Sequence, residues 1–95
     1  MIGKKVVVRD SRAGVLVGTL VEVDLAAKTA KLSEARKIHR WQGALAVEDL
    51  AVTGCGGDTR MTAVVPTVGL CDVVEVVETS EAGAHALMSW PAWRA

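Results

Sequence analysis

Apolar and polar positions alternate with a period of two along most of this chain, the pattern of half-buried strands rather than helices. Residues 4–9 (KKVVVR) read as a first strand, a β-branched run closed by the turn cluster Asp10-Ser11-Arg12-Ala13-Gly14. Residues 15–24 (VLVGTLVEVD) predict a longer second strand. Val15, Val17, Thr19, Val21 and Val23 share one of its faces; Leu16, Gly18, Leu20, Glu22 and Asp24 share the other. Its first half is apolar on both faces, so it should be covered twice, while its end emerges into solvent. Gly18 in mid-strand is what a bulge or sharp bend needs.

A third strand is expected over residues 28–32, after a turn near 24–27, and a separate extended segment over 35–41 (ARKIHRW). The period then changes. In residues 44–53 (ALAVEDLAVT), Val47, Leu50 and Ala51 fall on one helical stripe, and Gly54 stands where a helix end takes a left-handed residue. Residues 54–58 (GCGGD) predict a loop. The last expected strands cover 61–65 and 68–77, separated at Pro66, which has no donor for a ladder. A short helix over 80–88 would follow, with Ser80 near its N-cap, and the remaining SWPAWRA has no stable local preference. The expected fold is mainly β (α+β), a small strongly bent antiparallel sheet or SH3/Sm-like barrel with one or two short helices. Its 95 residues make a single domain.

Composition narrows the function classes. With 51% apolar residues the chain should fold, on an aliphatic core, since it has no Phe or Tyr and only Trp41, Trp90 and Trp93 as aromatics. Eleven basic and eleven acidic residues cancel, which disfavours a general nucleic-acid binder but leaves room for a local basic patch. Cys55 and Cys71 lack CxxC spacing, and no signal-like apolar N-terminus is seen, so a reduced, cytoplasmic protein is expected. No apolar run approaches the roughly 20 residues a bilayer span needs, so no membrane is expected.

Residues 36–44 gather the candidate chemistry. Arg36, His39, Arg40, Trp41 and Gly43 are the candidate ligand-binding residues, with Arg12 of the first turn as a further cation. A cation beside an indole suits a planar anion: a base stacks while the charge meets phosphate or carboxylate. Gly43 would leave free N–H groups at the following helix start, a seat for an anion. Trp41 could equally plug the core, with Arg36 and Arg40 solvated. The Gly54-Cys55-Gly56-Gly57 run lacks the Gly-Lys-Ser/Thr ending of a phosphate loop. Cys55, Cys71, His39 and His85 are not paired at zinc-ligand spacing, and no serine or cysteine sits in a nucleophile setting, so no metal, no cofactor and no enzyme activity are expected. Asp72, Glu75 and Glu78 on the Val-rich last strand read as charges that blunt a sheet edge. Trp90 and Trp93 could clamp a neighbouring subunit, making a homo-oligomer the expected state, or fold back over their own sheet.

The central run ARKIHRWQGALAVEDLAVTG resembles the signature of an uncharacterised family of small phage and prophage proteins. Ala35, Arg36, Trp41, Gly43, Ala44, Leu50, Ala51 and Gly54 carry the resemblance, with AGVLVGTL before it and a Val-Pro and DVVEVVET after it. The resemblance implies a phage or prophage setting and no particular activity. In that setting the leading expectation is a non-enzymatic protein that sequesters a nucleotide-derived immune signal, of the cyclic-nucleotide or cyclic ADP-ribose type. The alternatives are an oligomeric virion or assembly component and an Sm-like nucleic-acid-binding module.

Overall fold

A computed structural model describes residues 1–94. The elements run β1 (Lys5–Asp10), β2 (Gly14–Asp24), β3 (Thr29–Gln42), α1 (Val47–Thr53), β4 (Gly56–Met61), β5 (Val65–Leu70), β6 (Val73–Glu78) and α2 (Glu81–Ser89). All six strands form one curled antiparallel sheet in the order β4-β3-β2-β1-β6, with β5 also paired to β3. The mainly β expectation therefore holds, with two short helices added.

The two faces of β2 are both buried, as its double apolar pattern requires. Leu16 and Leu20 join Val6, Val8, Leu32, Leu70 and Val73 in a core built from strands alone, inside the curl. Val15 and Val17 join Val7, Ile38 and Met61 on the other side, where Val47, Leu50, Ala51 and Leu87 bring both helices onto the sheet. The second half of β2 emerges into solvent at Val21 and Glu22.

One bulge in β3 offsets its pairing with β2. Between Val17↔Arg36 and Thr19↔Ser33 the β2–β3 register slips by one residue, and Glu34 takes a positive φ of 46° there. Gly18 faces this bulge so closely that an added Cβ would lie 2.8 Å from the Ala35 Cβ. The separate strands expected over 28–32 and 35–41 are thus one bulged strand, because the extra residue is absorbed without breaking the pairing. Pro66 lies inside β5 rather than between strands. Its position falls between the Ser33↔Thr67 and Ala35↔Val65 pairs, opposite Glu34, so a missing N–H costs no rung. The expected 68–77 strand is in fact β5 and β6, divided at Cys71-Asp72, and the glycine-rich 54–58 loop already contains the start of β4.

Helix α1 is shorter than its apolar stripe predicts, beginning at Val47. Ser80 caps α2 as expected, accepting the Gly83 N–H at 2.9 Å. No described helix is long and apolar enough to cross a membrane.

Asp10 ties the two turns at one end of the sheet. Its buried carboxylate accepts the N–H groups of Arg12 at 2.9 Å, Ala13 at 2.8 Å and Asp72 at 3.0 Å. Burial pushes its pKa up, but the three N–H bonds and the Arg12 charge outweigh this and hold it below the ordinary 3.8. A depressed folded pKa means that the stabilisation is complete above the ordinary value and is lost as pH falls through the folded one. Asp10→Asn is therefore expected to cost about 1–3 kcal/mol at neutral pH, because one amide arm cannot accept from a backbone N–H. The cost should shrink as pH falls through the lowered folded pKa of Asp10, where Asp10 itself becomes protonated. Urea midpoints of both proteins across pH measure this, and a gap that stays constant would contradict it.

Candidate ligand-binding cleft

The β3 bulge decides which side chains meet the cleft. Upstream, Ala30 and Leu32 face the strand-only core; an unbroken alternation would put Arg36 and Ile38 there too. The extra residue reverses the faces, so Ala35 enters that core while Ile38 joins the helix-covered one. Lys37 and His39 consequently reach the rim, where with Arg60, Met61 and Thr62 of the β4 side and Trp93 they line a cleft of about 300 Å3.

Its walls are held from several directions. Lys37 and Thr62 exchange bonds: the Lys37 N–H donates to the Thr62 Oγ1 at 3.0 Å, and the Thr62 N–H to the Lys37 carbonyl at 3.0 Å. Gly14, at φ 89°, leaves room for the Lys37 stem, whose Cε would lie 3.3 Å from an added Cβ. The Arg60 guanidinium stands 4.9 Å from the centroid of the Trp93 ring, near enough for a cation–π contact. Trp93 is 51% exposed, so the contact leaves much of the indole open to a ligand. Asp58 bridges Arg60 at 3.3 Å and Arg40 at 3.8 Å. One carboxylate thus bridges two cations, Arg40 and Arg60, and Lys37 pairs with no carboxylate among the described residues. A neutral protein therefore carries a local positive cleft.

Of the residues singled out in the sequence, the cleft contains His39, and Arg40 stands beside it through Asp58. Trp41 packs, half-buried, on the helix-covered core, because the β3–β4 register shifts again around Arg40 and turns it inward. Gly43 lies four residues before α1 and packs against the Gly56 backbone. It cannot offer helix-start N–H groups, and the first turn of α1 carries Glu48 and Asp49, which repel an anion. Arg12 sits on the β1–β2 turn, 3.6 Å from Asp72, away from the cleft-lining set.

Arg36 departs furthest from the ligand-binding expectation. It is 3% exposed, and every bond it makes goes to a carbonyl of the chain. Its Nε and Nη2 donate to the Thr62 oxygen at 3.0 and 2.8 Å. Its Nη1 donates to Leu87 at 3.2 Å, Met88 at 3.3 Å and Trp90 at 2.6 Å. These three oxygens lie at the C-terminal end of α2, the negative end of its dipole. Burial lowers the Arg36 pKa, with the nearby Cys55 acting in the opposite sense, yet a guanidinium remains charged. Each of its three nitrogens already donates to a carbonyl, which makes it a clamp between segments of the chain.

Arg60 and Trp93 carry the cleft without having been singled out as ligand residues. Arg60 follows a glycine-rich run that reads as loop, and its aromatic partner lies 33 positions further along a segment without local preference. In the fold Thr59 and Met61 are buried and Arg60 half-buried between them, an alternation that the residue types of GGDTRM do not announce.

No group of three or more His, Cys, Asp or Glu side chains placed to share a metal ion occurs among the described residues. A family model described as a domain of unknown function (DUF6948) matches residues 3–87. No curated protein and no solved structure matches the chain.

Proposed function

The chain belongs to the DUF6948 family, whose description assigns no activity, and from the cleft itself we propose a non-enzymatic binding protein for a small nucleotide-like anion. The observation that carries this reading is the Arg60–Trp93 stack beside Lys37 and His39. An open indole face takes a base, and the cations take its phosphate. The volume of about 300 Å3 is at the small end for ligand sites, which favours one nucleotide unit over a dinucleotide. The larger cavity, of about 380 Å3 beside Arg9, Ser11 and Val74, has no aromatic wall on which a base could stack. It supports no competing site. In the phage setting implied by the sequence resemblance, the ligand would be a nucleotide-derived immune signal, and the protein would work in the host cytoplasm by sequestration.

Calorimetry with AMP, cyclic AMP, cyclic ADP-ribose, a cyclic dinucleotide, adenosine and inorganic phosphate tests the reading. A nucleotide is expected to bind better than adenosine or phosphate alone, since each of these uses half of the cleft. Trp93→Ala should weaken that binding by about 1–3 kcal/mol, or roughly 5- to 150-fold, without unfolding the protein. Silence across the panel from folded protein would sink the proposal.

A further inference from the structure

We infer that Arg36 is the positioning residue of this cleft, fixing the segment after α2 so that Trp93 stands as its aromatic wall. Residues 90–93 form neither helix nor extended strand, and only a few bonds set their path. The Trp90 carbonyl accepts from Arg36 at 2.6 Å, and the Trp90 indole donates to the Thr59 carbonyl at 2.9 Å. Further on, the Trp93 N–H donates to the Met61 carbonyl at 2.9 Å, beside a parallel bridge between Met61 and Ala92. Together these lay a strap along β4, ending with the Trp93 ring over Arg60.

Arg36 is the buried charged anchor of the strap, and it acts at the point where the helix gives way to it. The same fork grips Thr62, whose backbone and hydroxyl bond Lys37 on the opposite wall. One side chain therefore sets the spacing between the cationic wall and the aromatic wall. Arginine suits the task because its planar fork reaches four carbonyls in different directions, which a compact ammonium cannot do. Pro91 has no N–H with which to add a bond of its own. Without Arg36, the remaining neutral bonds and an exposed cation–π contact must offset the entropy of ordering the strap, and they are too weak to do so. Trp93 then leaves the cleft while the strand-only core stays packed.

The binding part of this inference rests on the nucleotide reading above, whereas its spectroscopic part does not. In the free, isotope-labelled protein, Arg36→Lys keeps the stem and the charge but loses the fork. It is expected to shift the Trp93 indole N–H resonance towards that of a solvated tryptophan, while the β1 and β2 amides keep their positions. Arg36→Gln should shift it further, and AMP affinity should fall about tenfold or more as the stack is lost. A purely structural Arg36 would lower stability and leave the Trp93 signal in place in folded Arg36→Lys, which overturns the inference. If Arg36→Gln does not fold, Arg36→Lys alone decides. If the parent protein binds no nucleotide, the nucleotide reading falls, and the indole signal still settles the role of Arg36.

Discussion

Arg36→Ala is expected to lower the unfolding free energy by about 3–4 kcal/mol, although no carboxylate loses its partner. The expectation follows from what the guanidinium touches. Its five bonds go to the carbonyl oxygens of Thr62, Leu87, Met88 and Trp90. Hydrogen bonds to a charged donor are each worth more than neutral ones, and carbonyls left buried without a donor bear the full desolvation cost. Truncation also opens a hole beside Leu87, which is fully buried. Arg9→Ala is the informative comparison. Arg9 does face a carboxylate, Glu75 at 3.3 Å, yet its side chain is 52% exposed, so its removal should cost less than about 1 kcal/mol. The arginine without an acid partner is thus expected to matter far more than the one that has one. Urea denaturation of both variants measures the difference, and equal losses would refute the account of Arg36.

Gly83→Ala is expected to destabilise the protein by about 2 kcal/mol, whereas the same change inside most helices is stabilising by up to about 1 kcal/mol. Gly83 sits in the first turn of α2, against the last turn of α1. An added Cβ would lie 2.0 Å from the Ala51 carbonyl oxygen and 2.6 Å from its carbon. The obstacle is backbone and cannot rotate aside. That oxygen also accepts the Ser80 N–H at 2.9 Å, so moving the helices apart sacrifices the bond that seats α2. Leu50, Ala51 and Leu87 would be pulled out of register with them. For a domain of this size the loss corresponds to a thermal midpoint lower by about 8–16 °C. An unchanged or raised midpoint would show that the helix contact is looser than the geometry requires.

Much of the architecture was legible in period-two alternation. β2 revealed both its double coverage and its bend, because Val, Leu and Gly18 report directly on local environment. Ser80 and Gly54 marked helix ends for the same local reason. What failed was long-range. Ser33-Glu34 reads as a strand break, and only the facing Gly18 and Pro66 show that it is a bulge within one strand. Gly56-Gly57-Asp58 has little strand propensity, and β4 exists because β3 offers it an edge. Arg36 was read as a ligand cation or a solvated charge, because the carbonyls that enclose it lie 26 to 54 residues further along the chain. The aromatic for the candidate site was sought at Trp41, next to the cations in sequence, and was found at Trp93, next to them in space.

The clamp also has a consequence for the order of events in folding. Arg36 precedes its partners Leu87 and Trp90 by 51 and 54 residues, and β1 must wait for β6 before both its edges are paired. As the chain is synthesised, Arg36 emerges 26 residues before Thr62 and more than 50 before the carbonyls at the end of α2 that accept its other hydrogen bonds. The face it shares with Ile38 therefore stays hydrated, since drying it early would strand a charge. The helix-covered core cannot be completed before α2, which supplies Leu87, has been made. A ribosome pausing between Arg36 and Leu87 would hold a half-built sheet with Val7, Val15 and Val17 still open, the interval in which a chaperone would be most useful.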